Sequence, residues 1–586
     1  MTLTDRHLDA LKHELRLRIP ADKARYAALL ASDVEALTAR AAAAMRTNDV
    51  PAILAIGEML IDQGALGLRP LRRIGFFGTL IGVLIAEGRY ETALQVLGEP
   101  RVVDDGLGKV WLSRAQALAG SALVMEARAA AERALELDPG LERARELVGW
   151  VDDYRRLKAA FQGGSGGWPE LGRLVDICLD LGLPGYAARF LFEHLAALPP
   201  PAPDATAGAV ETLCTALPLL GPEAVLREAG RIAPVAAGER LKALMIRCLT
   251  ELGQPSAAVG PDAGGRDVRL QRALALAEAG DLDAAISRLG RLTEQLRKDL
   301  EVRAALMYCA GAQVLAATPL QLRPAGGPRQ VFNLMPFNDE LALLRMHLAE
   351  MIDWVDLFVI VESEVTFTGQ PKPLYFERHK HEFAAYAGKI RHVVLGEHPP
   401  AFHSPWGRDF RQRDMAITAI SGLCAPDDLV LLTDVDEIVD RRALDGFEGD
   451  YAGLRMAMFR FFLNYRPDAA HMPVRRTGAV WKARHLARFG SSYARFGLSR
   501  RKDGGAIDNA GWHFTSMCDP ARLVAKMNSY AHQERKLEWR DLDTVDRRLA
   551  QIRSGRLERG WERAEIDETL PAYIRDHRDE LRDLLI

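Results

Sequence analysis

The chain has 586 residues, 48% apolar and 26% charged, with a formal net charge of −3. That length exceeds one ordinary hydrophobic core, so two to four domains are expected, and the near-balanced charge excludes a protein dominated by nucleic-acid or membrane-surface binding. The six cysteines are scattered, with no C-x-x-C pair, which fits reduced thiols rather than a disulfide framework or a zinc site.

At the N-terminus, Asp5-Arg6-His7 stands where a secretory signal would carry an apolar core, and the apolar stretch Phe76 to Ala86 is too short to cross a bilayer. A cytoplasmic protein without a membrane span is the expectation. Residues 1–317 are rich in Ala, Leu, Arg and Glu at helical spacing, which predicts an all-α domain. Gly88-Arg89-Tyr90-Glu91-Thr92-Ala93 leads to Ala127, 34 residues after Ala93, and Trp111, Ala127, Ala134 and Pro139 complete a pattern that resembles the tetratricopeptide repeat. Echoes at Gly182 to Ala187, Gly253 to Ala258 and Gly280 to Ala285 are irregularly spaced. They predict a degenerate helical-repeat solenoid, with a non-repetitive bundle as the alternative for its outer parts. The use expected of such a solenoid is to dock a protein on its concave face. His7, His13 and His194 are isolated, and no catalytic constellation occurs in this half.

Three prolines and two glycines between Thr318 and Pro328 mark a linker, residues 318–330. Beyond it, strands alternate with helices: Val331 to Met335, Leu357 to Glu362, Ile390 to Leu395 and Leu429 to Thr433 read as strands, and Asp339 to Met351 and Met415 to Leu423 as helical. Such βαβ alternation predicts a mostly parallel sheet. The fourth strand runs into Asp434-Val435-Asp436-Glu437. Two carboxylates at i and i+2 on a strand end can converge on a divalent cation that bridges a diphosphate, while the bland reading is an acidic turn.

Phe337-Asn338-Asp339-Glu340-Leu341, the V-E-S-x-x-T-F-T-G run from Val361 to Gly369, Gln412-Arg413, Thr433 to Ile438, Gly511-Trp512-His513 and Ala531-His532-Gln533-Glu534 together resemble glycosyltransferase family 17. The resemblance covers roughly residues 330 to 540 and implies a GT-A type, Rossmann-like fold for residues 331–540 and an inverting transfer from a nucleotide sugar. It suggests UDP-N-acetylglucosamine as donor. In that frame Asp434 and Asp436 hold Mn²⁺ or Mg²⁺ against the donor diphosphate, and Glu437 is a second ligand or an orienting carboxylate in catalysis. Phe337 and Asn338 face the nucleobase and ribose, with a hydrophobic staple as the alternative for Phe337. Glu362 contacts the nucleobase or ribose. Arg411 and Arg413 reach a phosphate or the donor sugar, unless one of them belongs to a solvated helix face. His513 is a third metal ligand or a structural histidine beside Trp512.

Inversion needs a base for the acceptor hydroxyl. Asp508, Asp519 and Glu534 are candidates, with Asp508 preferred because it just precedes Gly511-Trp512-His513. Leu454 to Leu463 and Ala479 to Leu486 read as further, antiparallel strands. The basic run from Arg475 to Lys502 suits diphosphate and sugar binding better than nucleic acid, and Asp503-Gly504-Gly505 reads as a lid turn. Residues 541–586 are expected to form a helical tail packed on the catalytic domain. The competing functions are a haloacid dehalogenase-like phosphatase or phosphotransferase, whose D-x-D normally opens its domain, and a non-catalytic repeat adaptor.

Overall fold

The computed structural model describes residues 3–17, 19–234, 238–468, 470–471, 476–500, 505–517, 519–529, 531 and 541–586. Glu534, with His532 and Gln533, and Arg475, Arg501, Lys502, Asp503 and Gly504 lie outside the described residues. Two compact units divide the chain: one takes residues 11–45 and 49–279, the other residues 2–10, 46–48 and 280–586.

The first unit is all helical. Its recurring element is the helical hairpin, as in Gly108–Gly120 with Val124–Leu137 and Trp168–Asp180 with Pro184–His194. Ala115, Ala119, Ala127, Ala131 and Ala134 are essentially inaccessible, so small side chains let the first pair of helices approach closely. Gly88, Gly182 and Gly253 each follow a helix with φ of 70°, 76° and 71°. Each ends its helix in the left-handed conformation that a Cβ disfavours, which explains why glycine recurs at these turns despite irregular spacing.

The second unit is built on a seven-stranded mixed sheet in the order β10-β6-β9-β4-β1-β2-β3. Its strands are β1 (Val331–Phe337), β2 (Leu357–Ser363), β3 (Ile390–Leu395), β4 (Leu429–Leu432), β6 (Tyr451–Arg455), β9 (Arg476–Lys482) and β10 (Ala506–Ile507). β4, β1, β2 and β3 are mutually parallel, and β9 runs antiparallel between β4 and β6. β1, β2 and β4 are buried along most of their length, which accounts for their continuous Val, Leu, Ile and Phe content. A smaller sheet, β5-β11-β7, contains β5 (Glu437–Val439), β7 (Ala457–Arg460) and β11 (Gly511–Thr515). β8 (Tyr465–Pro467) pairs with β12 (Trp561–Arg563). The tail beyond Asp541 therefore contributes a strand as well as helices.

Two sequence expectations differ from the structure here. The strand expected over Ala479 to Leu486 ends at Lys482, and Ala483–Ser492 continues as a helix that kinks at Gly490. The strand expected over Leu454 to Leu463 is two short strands, β6 and β7, that enter different sheets. Hydrophobic runs alone do not register such breaks, because a kink or a change of sheet leaves the apolar pattern intact.

The helices Leu282–Gln295 and Leu300–Ala317 belong to the same compact unit as the sheet. Leu300–Ala317 has the length and hydropathy of a membrane span, but it is mostly buried, and a Cβ on its Gly311 would stand 2.8 Å from the Phe489 carbonyl oxygen. Beside it, Asp414 is wholly buried, with Oδ1 accepting from Ser491 Oγ (3.0 Å) and Ser492 N (2.8 Å) and Oδ2 unpartnered. Burial pushes this carboxyl up to about 7 against those hydrogen bonds. A raised folded pKa means that the associated stability is complete below the unfolded carboxylate range and is lost as pH rises towards 7. Asp414→Asn should therefore gain on wild type by about 2–3 kcal/mol between pH 5 and pH 8, at 1.4 kcal/mol per unit. Denaturant titrations at the two pH values measure this, and a constant gap between the proteins would refute it.

Candidate functional site

β1 leads through a helix to β2 on one side, whereas β4 pairs on the other side of β1, so the chain direction of the crossovers reverses between β1 and β4. In an open α/β sheet the crevice outside the carboxyl ends of the strands at such a switch point is where ligands collect. Asp434 follows β4 there, and Phe337 ends β1 beside it.

The turn after β4 is fixed from beneath. His347, wholly buried on the helix Leu341–Met351, has Nδ1 3.1 Å from the Val435 carbonyl and Nε2 2.7 Å from the Asn333 side chain, which in turn meets Thr433 Oγ1 at 2.8 Å. Burial draws His347 down to about 4. Asn333 Oδ1 faces the ring Nε2, and its Nδ2 donates to the Thr433 hydroxyl oxygen and, at 3.4 Å, to the Leu431 carbonyl. Neither His347 nor Asn333 stands in a recognisable motif; only two polar residues inside apolar elements could have signalled them.

After the turn the chain enters β5, which pairs antiparallel with β11 and sets His513 opposite Glu437. Asp436, Glu437 and His513 thereby offer ligand atoms that all lie within 4.8 Å of one another. His513 Nε2 stands 3.7 Å from Asp436 Oδ1, and its buried Nδ1 has no partner. Two carboxylates and an imidazole at this spacing suit Mn²⁺ or a similar divalent cation, and the orphaned ring nitrogen shows that the protein alone leaves the histidine incompletely satisfied. Burial raises Asp436 to about 6; His513 and Lys526 oppose that rise, and the Asp434 and Glu437 charges add to it. The pairing depends on Gly511, whose φ is 134° and whose Cβ would lie 2.0 Å from the Ile438 carbonyl oxygen. Gly511→Ala should separate His513 from Glu437 and lower divalent-ion affinity by at least about tenfold, as lost ligand support commonly does. A metal titration unchanged by the substitution would contradict this.

Asp434 is engaged differently. Arg495 donates from Nη1 to Asp434 Oδ1 (2.8 Å) and from Nη2 to Oδ2 (3.0 Å), and the same Nη2 lies 2.8 Å from both oxygens of Glu437. Arg413, held by Asp409 at 2.8 Å, also bonds Asp434. Burial opposes the charge of Asp434, but these two guanidiniums outweigh it and hold its carboxyl well below the ordinary range. Asp434 thus lies outside the three-residue cluster. Arg495 comes from a π-helical segment, Tyr493–Leu498, whose wide turn presents it to the acids. Arg413, Arg495 and Arg500 surround the Phe496 ring, with guanidinium carbons 5.1, 4.7 and 4.4 Å from its centroid. Arg500 is exposed and donates to the Thr477 carbonyl at 3.3 Å. Sequence reading found the basic run but gave Arg495 and Arg500 no roles.

The other expected site residues are dispersed. Phe337 is buried edge-on to Phe376, and Asn338 bonds Asp339. Glu362 is wholly buried and accepts from the amides of Phe376 (3.1 Å) and Glu377 (3.4 Å), with Lys372 and His392 nearby. Its carboxylate organises the segment after the T-F-T-G loop. Arg411 lies over Phe402 on a different face of its helix from Arg413. Asp508, at the end of edge strand β10, is exposed and paired with Arg455 at 2.7 Å. Asp519 caps the helix Pro520–Ser529 through Arg522 N.

Residues 321–556 match the family model of glycosyltransferase family 17. Among curated proteins the chain is 31% identical over 158 residues to the β-1,4-mannosyl-glycoprotein 4-β-N-acetylglucosaminyltransferases of Rattus norvegicus and Homo sapiens, covering 25% of this chain in each case. It spans only 29% and 30% of those relatives' lengths. Solved structures with similarity include Naa15/Naa10 bound to HypK-THB, at 15% identity and a TM-score of 0.20, over 45% of this chain and 44% of that one. The P58(IPK) TPR domain is similar at 15% identity and a TM-score of 0.15, over 44% of this chain and 97% of that one. Scores this low carry no argument.

Proposed function

We propose, from the premise that residues 321–556 form a glycosyltransferase family 17 domain, that this chain transfers a sugar from a nucleotide-sugar donor to an acceptor hydroxyl with inversion, on a GT-A type fold. The observation that carries the reading is the β5–β11 pairing, which completes Asp436, Glu437 and His513 at the C-terminal edge of the sheet. These three residues would hold the divalent cation, with the Glu437 carboxylate shared between the ion and Arg495. When bound, that ion supplies positive charge against the donor diphosphate. Arg500, with no carboxylate ion pair among the described residues, would meet the charge that grows on the leaving nucleotide, while Arg413 and Arg495 are already matched by Asp409, Asp434 and Glu437. Asp434 acts as a positioning residue for those two arginines. The His347–Asn333–Thr433 network holds the turn, so the carboxylates need not reorganise when charge develops.

The acceptor hydroxyl attacks the anomeric carbon from the face opposite the leaving group, and a carboxylate must take its proton as the new C–O bond forms. Asp508, exposed and paired with Arg455 at 2.7 Å, is the carboxylate offered for this role. The relatives' names give N-acetylglucosaminyl as the group they transfer, and a nucleotide-activated N-acetylglucosamine is the proposed donor here. A screen of nucleotide sugars for metal-stimulated hydrolysis or binding tests the proposal, with Asp436→Asn as control. Donor binding indifferent to both metal and that substitution would overturn the site.

The helical unit is proposed to dock the acceptor, a protein in the simplest case. Because residues 2–10 and 46–48 and the helices 282–295 and 300–317 share the sheet's compact unit, the informative deletion excises residues 49–279 and bridges the gap with a flexible linker. That excision should leave donor hydrolysis within about threefold of wild type while transfer to the native acceptor falls by at least about tenfold, the scale expected when tethering is lost. Undiminished transfer would exclude the docking role.

A further inference from the structure

The V-E-S-x-x-T-F-T-G run plays no part in the acidic cluster, yet it is built around charged groups of its own. The helix Pro405–Met415 presents Arg413 towards Asp434, whereas Arg411, two residues away and about 200° around the helix, lies over Phe402 at 5.7 Å. Arg408 shares the face of Arg411, three residues earlier. It donates from Nη1 to the Phe367 carbonyl oxygen at 3.1 Å. At Gly369, where φ is +87°, a Cβ would stand 2.9 Å from Arg408 Nη2, so the loop is shaped to the guanidinium.

His398, only 2% exposed, adds a third group. Its Nε2 lies 3.2 Å from Ser363 Oγ, which already accepts the Val365 N–H at 3.3 Å. One proton is shared between the Ser363 hydroxyl and Nε2, while the ring Nδ1 is buried and unpartnered. Neither Arg408 nor Arg411 forms an ion pair among the described residues; Glu294 acts on Arg408 only from a distance. Burial draws both arginines down, and burial together with the charges of Arg411 and Arg408 draws His398 to about 4. Two half-buried cations beside an unpartnered buried ring nitrogen, with no ion-paired carboxylate among the described residues, leave an unfavourable potential that an anion would relieve.

We propose that Arg408, Arg411 and His398 form a second anion site, beyond the ends of β2 and β3, that takes a phosphate or carboxylate group carried by the acceptor. The site is separate from the β1–β4 switch point, where the donor diphosphate is placed, and its existence does not depend on the transferase reading; only the assignment to the acceptor does. Isothermal titration of the full-length protein with inorganic phosphate and with glucuronate tests it. At least one probe should saturate wild type, and the one that does identifies the acceptor's anionic group. Arg411→Gln, which removes no hydrogen bond among the described residues and should leave the melting temperature unchanged, weakens binding by about tenfold, the worth of one charge-assisted contact. Arg408→Gln/Arg411→Gln abolishes binding, and Asp436→Asn leaves it intact. The proposal is overturned if neither probe saturates, if Arg411→Gln binds like wild type, or if Asp436→Asn weakens binding as much as Arg411→Gln.

Discussion

Arg495→Met is expected to destabilise the α/β unit by about 3–5 kcal/mol, the range for removing one partner of a buried ion pair. Arg495 is 3% exposed and Glu437 2% exposed, so water cannot replace the lost guanidinium. Asp434 would keep Arg413, but Glu437 would retain only the Asp434 amide, at 2.9 Å. The charge left on Glu437, more than the packing lost with Arg495, is what costs stability. Methionine keeps an unbranched stem of similar reach, which isolates the electrostatic part. Adding Glu437→Gln to Arg495→Met should recover about 1–3 kcal/mol, the coupling expected for residues in direct contact. Lysine is a poor substitute, because a single ammonium cannot reproduce the fork that serves two carboxylates. Denaturant midpoints of the three variants measure the effect. A loss below 1 kcal/mol for Arg495→Met, or no recovery in the double variant, would show that the network is not load-carrying in the folded state.

Those residues also show where sequence reading reaches its limit. The apolar run from Leu429 ending in three carboxylates was legible because a buried parallel strand and an acidic turn each leave a local mark. That Glu437 would face His513 was not, since it depends on β5 pairing with a strand more than 70 residues later. Arg495 stood in a basic run whose members look alike until a π-helical turn separates the one that enters the acidic cluster. Glu362 illustrates the opposite case: a carboxylate at a strand end invites a ligand, and here the amides of Phe376 and Glu377 take it first. The helical hairpins were readable for a simpler reason. Glycines at φ near 70° recur at their turns, and a backbone requirement of that kind is written in the residue itself.

The second large effect concerns the carboxylates that the motif presents together and the structure divides. Asp436→Asn should reduce metal-stimulated transfer by at least about 100-fold, because even residues that merely support metal ligands cost 10–100-fold when removed. The fold should tolerate the change, since burial already raises the Asp436 carboxyl to about 6 and disfavours its charge. Asp434→Asn should behave in the reverse manner. Its carboxylate serves Arg413 and Arg495, so neutralising it leaves these buried guanidiniums with Asp409 and Glu437 alone and lowers stability, while Mn²⁺ affinity, read from the paramagnetic signal of the free ion, changes by less than about threefold, under 1 kcal/mol. His513→Ala should follow Asp436→Asn in the metal titration and leave the arginine network untouched. If Asp434→Asn abolished Mn²⁺ binding while Asp436→Asn and His513→Ala preserved it, the cation would belong with Asp434, and the ion pairs of Asp434 with Arg413 and Arg495 would have to open before each turnover.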